Sequence, residues 1–403
     1  MTHPVTAFQV HIDQEGKTVP VGTAFVTVRR NVTTTNFHYT DDYLGRPQAW
    51  EISPDLPLPY AGATTTGLPG AMADSAPDRW GRNLIHKRLH AGPPGTARPT
   101  VTEVDCLLGV SDGSRQGALR YTVGDDPTFL AESSDVPKVI ELPRLLHAAR
   151  QVERDDEDSE AVKALLDAGS GSLGGTRPKA SVRDEGRLFI AKFPHASDEW
   201  DVMAWEATAL DLAAASGVTT PPHRLVRLGA DGVLLLERFD RTGNKRIGYI
   251  SAMTLVGGHD GHTADYLEVA EAIADHGSNV RDDLRQLWRR IAVSVALNNT
   301  DDHLRNHGFL RAPGGWALAP AFDVNPNPNP STGRVTGIAG TIARREARDA
   351  LFDAAEYFDL RTDDATRIWE EVRDAVAKWR DVAASHGVSD SETRRFESVL
   401  DRH

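Results

Sequence analysis

Cysteine is nearly absent: Cys106, between Asp105 and Leu107, is the one cysteine among 403 residues. A lone thiol cannot close an internal disulfide, which fits a reducing cytoplasm. A small buried core residue accounts for Cys106 better than a catalytic thiol does. No run of about 18 apolar residues occurs, so no transmembrane helix and no membrane partner are expected. The opening Met1-Thr2-His3-Pro4-Val5 has no basic stretch leading into an apolar one, so no secretory signal is expected. Basic charge is in deficit, with 45 Lys and Arg against 58 Asp and Glu, a net charge of -13. A field of that sign repels nucleic acid over most of the surface, which argues against DNA binding unless a basic partner supplies it. No internal repeat is visible.

What is present is ordinary for a globular protein: 40% hydrophobic and 26% charged residues, in a chain long enough for two or three domains. Alternation predicts strands within 5–30, as in Ala7-Phe8-Gln9-Val10-His11-Ile12. The prolines and glycines of 53–72 predict a loop. A helix is expected from Asp78, a short one over Asp105–Leu108 and a strand over Gln116–Val123. The acidic stretch Val152–Glu160 reads as a solvated linker or helix start. Beyond a glycine-rich turn, strands are expected at 179–184 and 187–193, a helix at 199–216, and strands at 223–229 and 232–238. Val280–Leu297 is an amphipathic helix, with Leu284, Leu287, Trp288, Ile291 and Val295 on one face. The stretch 298–345 reads as irregular; its Asn325-Pro-Asn-Pro-Asn-Pro330 run can be neither helix nor central strand. Helices resume over about 346–358, 363–386 and 390–402. The fold class is therefore α+β: a β-rich part followed by a helical one, two lobes with a cleft between them. The expected domains are 1–145, 146–241 and 242–403. Trp80, Trp205, Trp288 and Trp369 are assigned to the core.

Four features carry chemistry. Gly169-Ser170-Gly171-Ser172-Leu173-Gly174-Gly175 can bring backbone amides close to phosphate oxygens, although no Gly-Lys-Ser/Thr follows as in a Walker A loop. Lys192, in the apolar strand Leu188–Phe193, can neutralise nucleotide phosphates, and Glu206 on the next helix is its natural ion-pair partner. Asp301 and Asn306 in Asn299-Thr-Asp-Asp-His-Leu-Arg-Asn306 have the Asp-x-x-x-x-Asn spacing of a kinase catalytic loop, and the loop follows the amphipathic helix. A carboxylate there can take the proton of an attacking hydroxyl, and amide and carboxylate oxygens suit Mg²⁺. His303 stands where many protein kinases place a lysine facing the γ-phosphate. Asp323, closing the apolar run Leu318–Phe322, stands where a kinase has its metal-binding aspartate. Each feature alone is cheap; their order along the chain points to a phosphotransferase.

The same residues resemble the HipA family of serine/threonine kinases, over nearly the whole chain. Asn299–Asn306 resembles that family's Thr-Asp-x-His loop, and Glu237-Arg-Phe-Asp-Arg241 its Glu-Arg-Phe-Asp-Arg string. Ser172-Leu-Gly-Gly-Thr-Arg-Pro-Lys179 resembles its glycine loop. Ala76-Pro-Asp-Arg-Trp-Gly-Arg82 and Leu107–Arg120 resemble its N-terminal domain. The resemblance implies a bilobal protein-kinase-like fold of the phosphatidylinositol-kinase type, with ATP and Mg²⁺ as cofactors. It makes Asp301 the catalytic base and gives Mg²⁺ to Asn306 and Asp323. ATP would be held by Ser172, Leu173, Gly174, Gly175, Lys192 and the loop lysine Lys179, with Glu237 and Phe239 presenting backbone groups to adenine beside Leu234–Leu236. Ser172 would be the autophosphorylated serine, Ser170 being the alternative. A phosphate there adds about -1.5 to -2 charges where ATP phosphates must bind, which would switch the kinase off. The implied partners are a HipB-like helix-turn-helix antitoxin, operator DNA only through that antitoxin, and a protein substrate such as an aminoacyl-tRNA synthetase. The Asn-Pro run resembles no motif of the family.

Other readings remain open at this point: a silent kinase fold serving as co-repressor, or a phosphotransferase acting on a small molecule or lipid. His259, His262 and His276 could be read as a zinc site, but their loop context makes them better satisfied or solvated histidines.

Overall fold

A computed structural model describes residues 5–30, 32–58, 62–91, 100–124, 128–129, 136–154, 158–170, 177–259 and 261–401. The glycine-loop residues Ser172, Leu173, Gly174 and Gly175 lie outside the described residues. The chain forms two compact units, Met1–Ala196 with Asp240–Ile250, and Ser197–Phe239 with Ser251–His403.

The first unit is built on an antiparallel sheet of β1 (Val5–Gln14), β2 (Lys17–Arg29), β3 (Val32–Tyr39), β4 (Gly62–Thr66) and β5 (Leu119–Thr122), in the order β4-β3-β2-β1-β5. Glu15 and Gly16 turn β1 into β2 at φ 54° and 82°, the left-handed pair that matches strand twist in a two-residue hairpin. Phe8, Val10 and Ile12 alternate onto the buried face. Over 53–72 the structure departs from the expected loop: β4 pairs with β3, and α2 (Gly70–Asp74) begins there, after α1 (Asp41–Leu44). A polar Gly-Ala-Thr-Thr-Thr strand at a sheet edge has no apolar alternation to announce it.

Four longer helical segments follow: α3 (Arg79–His90), α4 (Glu103–Leu108), α5 (Leu142–Arg154) and α6 (Ser159–Asp167). Asp78 caps α3, accepting from the Gly81 amide at 2.7 Å. Arg115, fully buried, donates to the carbonyls of Ser75, Leu107 and Val110 at 2.9–3.0 Å, gathering the ends of α2 and α4. Asp112 accepts from Arg120 at 2.6 Å and Arg246 at 2.8 Å. Asp240, from Glu237–Arg241, accepts from the Gly117 amide at 2.7 Å. These bonds give the Leu107–Arg120 string its physical sense. The unit ends in a hairpin of β6 (Lys179–Asp184) and β7 (Arg187–Lys192), where Lys179 stands opposite Lys192.

The second unit holds the hairpin β8 (His223–Leu228) and β9 (Asp231–Glu237), the helix α7 (Val202–Ala215), and a helical body. That body comprises α8 (Ala252–Leu255), α9 (Tyr266–His276), α10 (Val280–Ala296), α11 (Ala347–Asp353), α12 (Thr362–Val376), α13 (Trp379–Ser385) and α14 (Asp390–Leu400). Trp205 of α7 stacks on Phe396 of α14 and lies 5.9 Å, centroid to centroid, from Trp379 of α13. Trp288 of α10 meets Phe352 edge-on at 5.8 Å. The expected single helix over 363–386 breaks at Ala377–Lys378. The stretch expected to be irregular contains an antiparallel hairpin, β10 (Gly308–Ala312) and β11 (Gly315–Leu318), turned at Pro313-Gly314. Trp80, Trp205, Trp288, Trp369 and Cys106 are buried, as expected. Among the described residues no helix is long and apolar enough to cross a membrane.

Candidate active site

The second unit assembles the candidate catalytic loop from the C-terminus of α10 onward. Asn298 ends the helix in a left-handed conformation, φ 52°, which asparagine tolerates better than most residues. Its buried amide donates to the carbonyls of Asn327 at 2.6 Å and Asn329 at 3.2 Å. Asn327 answers through its side chain, donating to Thr300 Oγ1 at 2.8 Å, and through its backbone amide to the Asn298 carbonyl at 3.1 Å. Val335 N donates to the Thr300 carbonyl at 2.9 Å. The Asn-Pro run is therefore a clamp on the loop: proline fixes the backbone and the asparagines supply the bonds.

Within that loop a short 3₁₀ turn, Leu304–Asn306, brings Asn306 back under Asp301. Asn306 is buried and its Nδ2 donates to the Asp301 carbonyl at 3.1 Å, which turns its amide oxygen to the other side. The Asp301 side chain is exposed. Partial burial raises its carboxyl above the usual range, His303 pulls it down, and the charges of Asp323 and Asp302 push it up again. Asp301, His303 and Asp323 are thus close enough to feel one another. Asp323 holds φ 58°, a strained setting for a non-glycine residue, with Asn325 Nδ2 donating to its Oδ1 at 3.2 Å. Beside it Phe322 packs against Phe239 at 5.7 Å between centroids. Glu237 closes β9, and its amide donates to the Pro222 carbonyl at 2.8 Å. Glu206 is buried on α7.

Asp302, adjacent to the exposed Asp301, is buried and serves the scaffold. It accepts from the Tyr266 hydroxyl, lies 3.0 Å from His307 Nε2, and its carbonyl accepts from Thr336 Oγ1 at 2.6 Å. Burial pushes its carboxyl up, but His307, Arg334 and Tyr266 together hold it well below the usual carboxylate range. Burial and the neighbouring Asp302 charge push the Tyr266 phenol well above its usual value. Behind the loop lies a cavity of about 20 Å³, lined in part by Arg290, Asn299, Asp302 and His307. Sequence reading missed Asp302, Tyr266, Asn327 and Arg334, whose contacts span 27 to 68 residues.

Lys192 and Lys179 belong to the first unit, both buried. The Lys179 ammonium lies 2.5 Å from the carboxylate of Asp78. Burial holds the Asp78 carboxyl above its usual range, against the pull of Lys179. Ser170, the alternative to Ser172, is fully buried and donates to the Lys179 carbonyl. His262 lies 2.6 Å from Glu268, and no cluster of three or more His, Cys, Asp or Glu able to hold a metal occurs among the described residues.

Comparison with known proteins bears on the whole chain. Residues 171–379 match the family model of the HipA-like C-terminal domain, and residues 17–110 that of the HipA N-terminal domain. A curated Haemophilus influenzae protein named "Putative kinase" is 25% identical over 188 residues, 42% of this chain and 54% of that protein. The chain thus spans about half the length of that relative. Among solved structures, HipA of Shewanella oneidensis MR-1, from its complex with HipB and operator DNA, superposes with a TM-score of 0.65 at 14% identity, over 98% of this chain and 95% of that one. The Helicobacter pylori proinflammatory kinase CtkA gives a TM-score of 0.39 at 14% identity, over 55% of this chain and 91% of its own.

Proposed function

Because the chain belongs to the HipA family, we propose that it is an ATP- and Mg²⁺-dependent protein serine/threonine kinase, the toxin of a bacterial toxin–antitoxin pair working in the cytoplasm. The observation that carries this reading is the loop in which the exposed Asp301, the buried amide of Asn306 and the strained Asp323 stand together in one unit.

Two neighbouring carboxylates and an amide oxygen fit a hard cation such as Mg²⁺, which binds through one or two carboxylates and keeps several waters. Asn306 and Asp323 would hold it, and bound there it would offset charge on the transferred phosphoryl group. Asp301 would take the proton of the acceptor hydroxyl as that oxygen bonds to the γ-phosphorus and the bond to the leaving ADP oxygen breaks. His303 would face the γ-phosphate, and Lys192 the α- and β-phosphates. Glu237 and Phe239 would offer backbone groups to adenine. The Shewanella complex of HipA with HipB and operator DNA supports a HipB-like antitoxin as partner; that antitoxin would carry the helix-turn-helix, and this chain would reach operator DNA only through it. The acceptor is a protein hydroxyl, with an aminoacyl-tRNA synthetase as the candidate substrate, and Ser172 as the site of autophosphorylation that silences the enzyme.

The test is incubation with Mg²⁺ and ATP, followed by intact mass and phosphopeptide mapping beside Asp301→Asn. We expect one added phosphate on Ser172 in the parent. In the variant transfer should fall by a factor of about 10² to 10⁴, the usual contribution of a positioned base. An unmodified parent that binds ATP and transfers nothing would establish a silent co-repressor instead.

A further inference from the structure

Asp283 and Arg290 stand two turns apart on α10 and so share one face of that helix. Both are buried. They hold consecutive residues of one segment: Asp283 Oδ2 accepts from the Leu318 amide at 3.0 Å, and Arg290 Nη2 donates to the Ala319 carbonyl. That segment, Leu318–Phe322, leads directly into Asp323. The same helix starts the loop that carries Asp301 and Asn306. There Asn299 N donates to the Ser294 carbonyl at 2.9 Å, and Ser294 Oγ to the Asn299 carbonyl at 3.1 Å. Helix α10 therefore grips both loops, one through its C-terminus and the other through two side chains. The cavity behind the candidate catalytic loop lies on the seam between them. Arg290 lines it with Asn299, Asp302 and Asn306 from one loop and with Phe322 and Val324, the neighbours of Asp323, from the other. Burial pushes the Arg290 guanidinium down to about 10, against the charges of Asp283 and Asp302. Its Nε and Nη1 find no protein partner among the described residues. Replacing a buried ionic group by a packed apolar one is often neutral for stability, so stability explains this arginine poorly. The segment is also held without it: Ala319 N donates to the Gly308 carbonyl and Ala321 N to the Thr219 carbonyl, both at 2.8 Å.

We propose that Arg290 is a positioning residue: by holding the Ala319 carbonyl against α10 it sets Asp323 relative to Asn306, so that both can serve one Mg²⁺. This rests on the kinase reading and deepens it. Arg290 touches neither nucleotide nor metal, and acts only through the segment that ends in Asp323.

The experiment is calorimetric titration of a non-hydrolysable ATP analogue into the full chain, once with Mg²⁺ and once with EDTA, with melting temperature recorded in parallel. The gain in affinity that Mg²⁺ confers is the quantity compared among the parent, Arg290→Met and Arg290→Lys. We expect Arg290→Met to lose about tenfold of that gain, the scale for residues that support metal ligands, while affinity in EDTA stays parental. Lysine can still donate to the Ala319 carbonyl, so Arg290→Lys should recover most of the gain. A purely structural arginine would lower the melting temperature and leave the gain intact, overturning the proposal. An Arg290→Lys as impaired as Arg290→Met would overturn it too, because the bond to Ala319 would not be what matters. Should Arg290→Met fail to fold, Asp283→Ala, which releases the adjacent Leu318 amide, takes its place and should show the same selective loss. Failure of both to fold would overturn the proposal by making the pair structural. A folded parent that binds no analogue, or gains nothing from Mg²⁺, would end the kinase reading and this inference together. A parental gain in a folded Arg290→Met ends this inference alone.

Discussion

Asp301 and Asp302 are neighbours with opposite tasks, and burial separates them. The exposed Asp301 can meet a substrate, whereas Asp302 is enclosed by Tyr266, His307 and Arg334. A carboxylate held below its usual range in the folded state stabilises the fold above its unfolded value, and that stability is lost as pH falls toward the folded value. For Asp302 the loss belongs below about pH 4, where free aspartate titrates. Tyr266 runs the other way: its raised phenol favours the fold below about pH 10, and that contribution fades as pH rises beyond it. Asp302→Asn leaves His307 and Arg334 buried without their anion. It should cost about 3 kcal/mol at pH 7, the scale for breaking a buried pair from one side. Urea unfolding at pH 7 and at pH 3.5 checks both statements. The variant should lie below the parent at pH 7, and the gap should shrink at the acid end. An equal gap at both values would show that Asp302 is not the titrating group. The cavity behind it gives a second check. Arg290 Nε and Nη1 and Asn299 Oδ1 are buried without a protein partner, and a space of about 20 Å³ can hold a water. We expect one ordered water there in a crystal structure at high resolution.

At the scale of elements, legibility followed local pattern. Helix α10 and the hairpins β6–β7 and β8–β9 were readable because burial on one face imposes a period on neighbouring residues. The hairpin β10–β11 was not, since its strands are short and dense proline and glycine around it signalled only irregularity. Asp301, Asn306 and Asp323 could be named because their spacing carries chemistry, and the structure brings Asp301 into contact with Asn306 and into the field of Asp323. The work of the Asn-Pro run could not be read, because its partners Asn298 and Thr300 lie 27 to 31 residues away. That run now makes a prediction. Asn327→Ala removes the bond to Thr300, the residue before Asp301, and touches nothing assigned to nucleotide. The turnover number should fall about tenfold through misplacement of Asp301, the proposed base, while KM for ATP holds. Steady-state ATP consumption separates the two constants, and a change confined to KM would refute the clamp as a support for Asp301.

For the whole molecule the governing quantity is the net charge of -13. DNA affinity comes chiefly from lysine and arginine neutralising phosphates, and each contact adds close to one unit to the slope of log affinity against log salt. A chain with this balance is expected to leave operator DNA unshifted in a gel at physiological salt. A helix-turn-helix partner should shift the DNA by itself, and adding this chain should give a larger complex whose salt slope differs from the partner's by less than about one unit. The slope matters more than the shift. On the proposed reading the chain would be carried on DNA by its antitoxin, contributing mass and contacts to protein, and few to phosphate. If the chain bound DNA unaided, with affinity falling steeply between 50 and 200 mM salt, a concentrated basic surface would exist despite the overall deficit. Operator binding would then belong to this chain as well as to its partner, and the division of labour proposed between them would fail.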